Sequence, residues 1–228
     1  MQYVAKEATA TTQSTQIHLQ QTVRSTLAGG FRLPGDFSVR RFVADKGARA
    51  LFVEFDVGAS ALLSAVYKTV LDLAFKESLS RGRTAGRVYF VLDEFALLPP
   101  LAYLENGLNF GRGLGLRFVV GSQNVGQVFH AYGQEKGLAV VAAFGTVLAF
   151  RLYDSASRQF VRDRFGANRK LLRFESAIKS RGVVEQPLDG TVIEDWDLTE
   201  LGVGQVIAAL PDGPPLRLTL VDGAQPPG

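Results

Sequence analysis

An unbroken run of strand-forming apolar residues, from Val88 to Leu92, ends directly in two adjacent carboxylates, Asp93 and Glu94. A second run of the same kind extends from Leu116 to Val120 and ends shortly before Gln123. Continuous apolar strands of this length are typical of a parallel sheet that is covered on both faces. In such sheets, ligands bind beyond the carboxyl ends of the strands. The sequence therefore predicts a ligand site where Asp93, Glu94 and Gln123 follow their strands.

The rest of the chain alternates between helical and strand-like patterns. Helices are predicted for the apolar stripe from Leu62 to Phe75, around Leu104, between Val125 and Ala142 with a break near Gly133, and over Ser155 to Phe165. Further strands are predicted over Ala50 to Asp56, Thr146 to Arg151, Gln205 to Leu210 and Leu216 to Val221. On the first of these helices, we expect an ion pair between Asp72 and Lys76. The alternation predicts the α/β fold class.

The amino-terminal segment differs from the rest in composition. Residues Ala8 to Leu27 are rich in Thr, Gln and Ser, with few apolar residues, and a glycine pair follows at Gly29-Gly30. This is a weak helical pattern with a stop signal, and it is too polar to form a core by itself. We expect residues 1–30 to be the tail of an upstream helical region and residues 31–228 to form the main domain.

Composition excludes several classes of site. The chain has no cysteine and two histidines among 228 residues, which excludes a disulfide framework, a thiolate metal site and a histidine-rich metal site. The longest apolar stretch, Leu138 to Phe150, is interrupted by Gly145 and falls short of the ~20 residues that a membrane span needs. No secretory signal follows Met1. We therefore expect a soluble, cytosolic chain.

The charges are unevenly distributed, although the net charge is only +3. Arg151 to Arg181 contains nine basic and three acidic residues, whereas Gly182 to Glu200 contains six acidic residues and no basic one. Two opposed blocks suit a nucleic-acid face, a contact between subunits or two solvated surface stretches. On charge alone, a contact with DNA or with a neighbouring subunit is predicted for the basic side chains Arg158, Arg162, Arg164, Arg169 and Lys170.

The residues at the strand ends suit the chemistry of phosphate transfer. A buried strand can hold two carboxylates rigidly, so that Asp93 orients Mg²⁺ and its waters while Glu94 polarises the attacking water. The alternative is an acidic residue that merely caps the next helix. Arg112 lies in a glycine-rich turn that would expose its guanidinium to a phosphate of a neighbouring subunit. The alternative here is an ordinary surface arginine.

The aromatic residues have two readings as well. Phe129, Tyr132 and Tyr153 could stack on bases, or they could pack in the core or in an interface. Trp196 is expected to pin the acidic block onto the domain.

Three short segments together resemble one family. They are Leu92-Asp93-Glu94-Phe95, Asn109-Phe110-Gly111-Arg112 and Gly121-Ser122-Gln123-Asn124. In order and spacing they resemble the Walker B strand, the glycine-arginine turn and the sensor strand of the conjugative coupling proteins of type IV secretion. These proteins are of the TraD/TraG type, within the FtsK/HerA group of RecA-like motor ATPases. The resemblance extends over about Phe37 to Phe165.

The resemblance implies a RecA-like, P-loop NTPase-type fold with a mostly parallel sheet flanked by helices. It also implies a homo-hexameric, ATP- and Mg²⁺-dependent pump at the cytoplasmic face of the bacterial inner membrane. Such a pump moves single-stranded DNA with its relaxase to the secretion-channel proteins. By the same resemblance, Asp93 orients Mg²⁺, Glu94 is the catalytic base, Gln123 senses the γ-phosphate and Arg112 is the arginine finger that acts in trans.

One departure from the family is clear: the sequence contains no G-x-x-x-x-G-K-[ST] phosphate-binding loop. In the family that loop and the membrane-spanning helices lie upstream. We therefore expect this chain to be the carboxyl-terminal part of the nucleotide-binding domain, or a degenerate relative, and to lack ATPase activity by itself. A non-catalytic docking module for relaxase or cargo, and a FtsK/HerA-type translocase of double-stranded DNA, remain as alternatives.

Overall fold

The computed structural model of the chain describes residues 10–26, 33–45, 48–56, 58–80, 86–175 and 183–221. The chain divides into two compact units, Met1–Gly121 and Ser122–Gly228. The boundary predicted after residue 30 lies outside the described residues, so it stays a prediction. Among the described residues, none of the helices combines the length and the apolar character that crossing a membrane requires.

The first unit contains helices around one pair of strands. Its elements are α1 (Ala10–Thr26), α2 (Val39–Asp45), α3 (Ser60–Ser80), β1 (Val88–Leu92), a 3-10 turn (Phe95–Leu97), α4 (Leu104–Phe110), a second 3-10 turn (Gly111–Leu114) and β2 (Leu116–Val120). β1 and β2 are parallel, with Val88 opposite Leu116 and Leu92 opposite Val120. Both strands and the long helix α3 confirm the sequence prediction.

Three phenylalanines form the aromatic core of this unit. Phe90 and Phe118 occupy paired positions of β1 and β2, so their rings lie on the same face of the sheet, 5.3 Å apart between centroids. Phe75 of α3 is completely buried and lies 4.5 Å from the Phe90 ring. Its ring is also 5.6 Å from that of Phe118. The helix α3 is thereby packed onto one face of the parallel pair.

Two expectations for the first unit are wrong. Residues 50–56 form no strand, and Phe52 is 91% exposed. The stretch has strand-forming residues, but none of the described strands pairs with it, and a strand exists only through such a partner. Asp72 pairs with Lys68 at 2.9 Å rather than with Lys76.

The Asp72 carboxylate also accepts hydrogen bonds from the backbone before α4. One of its oxygens accepts the backbone N–H groups of Ala102 and Tyr103, at 2.8 and 3.3 Å. Lys68 Nζ in turn donates to the carbonyl of Pro100. These bonds tie α3 to the residues that precede α4.

The second unit combines helices with antiparallel strands. Its elements are α5 (Val125–Tyr132), α6 (Gln134–Ala142), β3 (Val147–Ala149), α7 (Ser155–Phe165), β4 (Ala167–Glu175), β5 (Val183–Thr191), α8 (Asp195–Thr199), β6 (Gln205–Ala209) and β7 (Leu216–Thr219). The predicted helix break at Gly133 is confirmed, with φ at +81°. The predicted bounds of α7 are confirmed at both ends. At its amino-terminal end, Asp154 caps the first turn by accepting the N–H of Ser157 at 2.8 Å.

The strands of this unit form two sheets. β6 lies between β3 and β7 and is antiparallel to both. The core beside this sheet consists of Ala149, Val161, Ile193, Leu198, Leu201 and Ile207. β4 and β5 form a separate antiparallel hairpin, which the sequence did not predict. Its strands mix charged, polar and apolar side chains without a regular alternation, so neither strand alone has a clear strand pattern.

Candidate functional site

Asp93 and Glu94 follow β1 at the carboxyl end of the parallel pair, as predicted. The backbone on both sides of them is anchored to the end of β2. The carbonyl of Leu92 accepts the N–H of Gly121 at 2.8 Å, and the N–H of Phe95 donates to the carbonyl of Gly121 at 2.9 Å. The Phe95 side chain is buried, whereas Asp93 is exposed and Glu94 half-buried. The two carboxylates are thus presented at a sheet edge by a clamped backbone.

Gly121 has a structural role that no sequence pattern assigned to it. A Cβ atom at this position would lie 2.2 Å from the carbonyl oxygen of Asp93, which is far inside van der Waals contact. Only glycine therefore allows the ends of β1 and β2 to approach this closely. The available signal was a glycine placed directly after a buried strand.

We call Asp93 and Glu94, at the carboxyl end of β1, the acidic edge. It fits a metal that takes few ligands from the protein. Among the described residues, no group of three or more Asp, Glu, His or Cys side chains could enclose a metal ion. Mg²⁺ is commonly held through one or two carboxylates, with waters and substrate phosphates completing its octahedral shell. Asp93 and Glu94 could supply the one or two carboxylates of such a site.

Arg112 lies at the opposite end of the same strand pair. It belongs to the 3-10 turn before β2, whereas Asp93 follows β1, and the two strands are parallel. Five strand residues at ~3.3 Å each separate the two ends by roughly 16 Å. The structure thus does not bring Arg112 to the acidic edge of its own chain.

The turn that carries Arg112 is well defined. Gly115 adopts a left-handed conformation with φ at +88°, and a Cβ there would meet the carbonyl of Gly86 at 2.7 Å. The carbonyl of Arg112 accepts bonds from the N–H of Gly115, at 3.3 Å, and from Nη1 of Arg117, at 3.2 Å. The Arg112 residue itself is exposed.

Gln123 is the second residue of the second unit and is exposed. Its neighbour Asn124 caps α5 by accepting the N–H of Gly126 at 2.6 Å. The next N–H, of Val125, donates to the hydroxyl of the buried Ser157 at 3.0 Å. Gln123 therefore directly precedes a helix start that is anchored to α7.

The basic and acidic blocks of the sequence pair with each other. Asp195 accepts from both Arg158, at 3.2 Å, and Arg162, at 3.3 Å. On the hairpin, Arg169 pairs with Asp189 at 3.3 Å. Lys170 pairs with Glu194, and Arg164 donates to the carbonyl of Gly145 at 2.7 Å. All five basic side chains predicted to contact DNA or a subunit thus have partners within their own unit. The charge pattern of the sequence did not indicate this internal pairing.

Glu194 is the most perturbed carboxyl of this network. The hydrogen bond from Lys170, followed by the bond from the backbone N–H of Thr191, lowers the pKa of Glu194 from 4.5 to about 2. Its backbone N–H is bonded to Asp197 at 2.9 Å, which completes a capping box at the start of α8. Glu194 therefore remains ionised in its pair with Lys170 at all but strongly acidic pH.

Trp196 does not pin the acidic segment, contrary to expectation. Its side chain is 57% exposed, whereas Leu198, two residues later, is completely buried in the core. Leu198 therefore anchors α8. A leucine side chain is fully buried more often than the larger indole of tryptophan.

Solved structures with the same fold are those of a bacterial conjugative coupling protein, TrwB. The unbound form is 19% identical, with a TM-score of 0.79 over 96% of this chain and 51% of that one. The complex with ADP and Mg²⁺ is 18% identical, with a TM-score of 0.74 over the same shares. The complex with an ATP analogue is 19% identical, with a TM-score of 0.76 over 94% and 50%. The chain thus spans about half the length of these structures, and the predicted RecA-like fold is confirmed.

No curated protein sequence matches the chain. A family model does: residues 1–181 match the type IV secretion-system coupling protein DNA-binding domain. This range contains the carboxylates after β1, the turn of Arg112 and Gln123, which are the segments that carry the sequence resemblance. The chain therefore belongs to the family of type IV secretion-system coupling proteins, as a part of their DNA-binding domain.

Proposed function

We propose that this chain is the carboxyl-terminal part of an ATP-driven motor that delivers single-stranded DNA to a type IV secretion channel during conjugation. The observation that carries the proposal is the acidic edge. Asp93 and Glu94 are held by a clamped backbone at the carboxyl end of a parallel strand pair, in a chain of the coupling-protein family. This is where open α/β sheets bind their ligands.

In the proposed reaction, ATP and Mg²⁺ occupy the acidic edge of the complete protein. Asp93 would help to hold Mg²⁺, and Glu94 would accept a proton from the water that attacks the γ-phosphate. The relatives solved with ADP and Mg²⁺ or with an ATP analogue support nucleotide as the ligand. These 228 residues contain no phosphate-binding loop motif, so the proposal is that the loop is supplied by another part of the complete protein.

Arg112 and Gln123 have separate proposed roles. Gln123 would sense the γ-phosphate. Arg112, at the far end of the strand pair from Asp93, would stabilise the charge of the transition state in the site of a neighbouring subunit. Its exposure on a well-defined turn supports that role. A homo-hexamer at the cytoplasmic face of the inner membrane is the proposed assembly, with the relaxase and the secretion-channel proteins as partners.

The decisive experiment replaces Glu94 by Gln in the complete coupling protein. Glu94→Gln removes the proton acceptor while keeping the size of the side chain. We expect ATP hydrolysis to fall by ~100-fold or more and plasmid transfer to be lost, with nucleotide binding and assembly retained. Glu105→Gln, at an exposed position of α4, is the matched control and should have no effect.

Other outcomes of this experiment would favour the alternatives. Unchanged DNA transfer by the Glu94→Gln protein would indicate a non-catalytic docking module. If hydrolysis by the wild-type protein is stimulated by double-stranded DNA rather than by single strands, a FtsK/HerA-type translocase is the better description.

A mixing experiment tests the trans role of Arg112. Oligomers of Arg112→Ala subunits alone, or of Glu94→Gln subunits alone, should be inactive. If Arg112 acts on the neighbouring site, mixed oligomers contain some complete sites, formed by Glu94 of one mutant and Arg112 of the other. Recovery of ATPase activity on mixing is therefore expected. Mixtures that stay inactive, while native gels show mixed assembly, would contradict action in trans.

A further inference from the structure

The parallel pair of β1 and β2 has one covered face and one open face. The aromatic core of the first unit lies on the covered face, under α3. Successive side chains of a strand point to opposite faces, so the residues between the core positions lie on the other side. There, Tyr89 is 59% exposed, Val91 is 68% exposed and Val119 is 58% exposed. We call these three residues, together with Arg117, the open face.

The open face is mainly apolar. Val91 is opposite Val119 in the register of the two strands, and Tyr89 is opposite Arg117. Neighbouring strands are ~4.8 Å apart, so the paired side chains form one continuous surface. The one charged member, Arg117, donates through Nη1 to the backbone carbonyl of Leu116 at 2.7 Å. A contiguous apolar surface of this kind marks a site of contact with another apolar surface.

The sequence of β1 and β2 is that of strands covered on both faces. Both are unbroken runs without polar alternation, and parallel sheets occur almost only with helices on each side. In the first unit, α3 and α4 both pack on the covered face. Gly107 of α4 lies against the ring of Phe118, where an added Cβ atom would be 2.9 Å from Cζ. The open face is therefore the side of this sheet that still requires a cover.

A large amount of polypeptide is available to supply that cover in the complete protein. The chain spans 51% of the length of a coupling protein structure that it matches, and it contains no phosphate-binding loop motif. Such a loop joins a strand to a helix. The proposed nucleotide site requires this strand, loop and helix close to the acidic edge. The cover and the loop can thus come from the same segment.

The helix between β1 and β2 indicates how this segment fits. α4 joins the two strands and lies on the covered face. Crossovers between parallel strands are right-handed, so a helix on the covered face accompanies a step from β1 towards β2. A helix on the open face accompanies a step in the opposite direction, which starts beyond β2. Among the described strands, β1 and β2 pair only with each other, so the outer edge of β2 can accept a further strand.

We infer that, in the complete protein, the helix that follows the phosphate-binding loop docks on the open face. Its strand adds to the outer edge of β2, and the helix crosses the pair with its apolar side on Val119, Val91 and Tyr89. The loop follows the carboxyl end of its strand, so it lies at the same end of the sheet as the acidic edge, with the amino terminus of the helix directed at the phosphates. The inference rests on the proposed function and adds to it the surface that completes the nucleotide site.

A photo-cross-linker on the open face identifies what covers it. Tyr89 is replaced by p-benzoyl-phenylalanine in the complete coupling protein, which is then irradiated. We expect an intramolecular cross-link to the ~20 residues that follow its G-x-x-x-x-G-K-[ST] motif, mapped by mass spectrometry. The same replacement of Glu105, an exposed residue of α4, is the matched control and should give no cross-link to that segment. Circular dichroism checks that both variants fold.

Thiol labelling measures how well the open face is covered. The chain contains no cysteine, so Val91→Cys introduces one thiol into its 228 residues. A maleimide should label this thiol readily in the 228-residue protein. In the complete protein, labelling should be slower by ~10-fold or more, because it then requires local opening. Mass spectrometry of the peptide with position 91 separates this thiol from any others, and Glu105→Cys should react equally in both proteins.

The contrary outcomes are distinct. Equal labelling of Val91→Cys in the two proteins would overturn docking on the open face. A cross-link to a second subunit, visible as a doubled mass on a denaturing gel, would assign the face to a contact between copies and overturn the inference. A cross-link to another segment of the same chain would overturn the choice of helix. In each case the ATPase role would still be judged by Glu94→Gln, so the docking can fail while the proposed function holds.

Discussion

The two units differ in where their most conspicuous charged side chains lie. In the first unit, Asp93 and Glu94 are presented at a sheet edge by backbone bonds to Gly121, and the stability beneath them comes from the aromatic core around Phe75. In the second unit, the charges pair with each other, and Asp195 alone holds two arginines. The comparison teaches that conspicuous charge in a sequence is a poor guide to a site. The informative charges are those that the fold leaves at a strand end.

The largest effect is expected from the core of the first unit. Phe75→Ala should lower the free energy of unfolding by about 3–5 kcal/mol, because it empties a completely buried position between Phe90 and Phe118. Urea unfolding followed by far-UV circular dichroism measures it. Phe52→Ala, at a 91% exposed ring, should change the free energy by less than ~0.5 kcal/mol. Similar losses for both variants would show that the aromatic core does not hold this unit.

The next effect concerns the clamp behind the two carboxylates. Gly121→Ala places a Cβ atom 2.2 Å from the carbonyl of Asp93, so the ends of β1 and β2 must separate. We expect a loss of ~1–3 kcal/mol in the free energy of unfolding, and a lower ATPase rate in the complete protein. Gly113→Ala is the control, since a Cβ there meets nothing within 4 Å. Equal stability of the two variants in urea would contradict the clamp.

A smaller effect is expected from the paired charges of the second unit. Asp195→Asn weakens the ion pairs with both Arg158 and Arg162, which are partly exposed, so the loss should be about 1 kcal/mol and should shrink in high salt. Asp189→Asn affects one pair at a far more exposed position, and we expect no measurable loss. Thermal unfolding at low and high salt tests both variants. An Asp195→Asn loss that is independent of salt would indicate packing rather than charge.

The smallest effect is confined to acid. Because the pKa of Glu194 is lowered to about 2, the pair with Lys170 contributes stability above the ordinary pKa of 4.5. That contribution is lost as the pH falls through about 2. Glu194→Gln should therefore reduce the decline in stability between pH 4.5 and pH 2, relative to the wild type. Urea midpoints measured along this interval decide it. Parallel pH curves for the two proteins would mean that Glu194 has an ordinary pKa in the folded state.

Much of the first unit and of the acidic edge could be predicted from local patterns. The runs Val88–Leu92 and Leu116–Val120 are continuous and apolar, and they became the parallel pair β1 and β2. Asp93 and Glu94 follow one of these runs directly, so their position at the strand end was evident without a structure. The stretch from Ala50 to Asp56 has similar composition but forms no strand. Composition alone does not supply the neighbouring strand that a ladder requires.

The hairpin of β4 and β5 is the converse case, because its two strands form although the sequence did not predict them. Its residues have the composition of a solvated surface, and the pairing of Arg173 with Glu185, at 2.8 Å, arises only when the two strands lie side by side. The partners are separated by 12 residues in the chain. No pattern within one strand indicates which distant residue it will face.

The sequence by itself determined the alternation of helices and strands, the presence of two carboxylates after a buried strand, and the family resemblance. These depend on residue type and spacing along the chain, which local backbone geometry converts directly into structure. The tertiary structure decided which charges neutralise each other, why position 121 must be glycine, and that Leu198 rather than Trp196 is buried. Each of these depends on distances between residues far apart in sequence, and only the folded chain sets those distances.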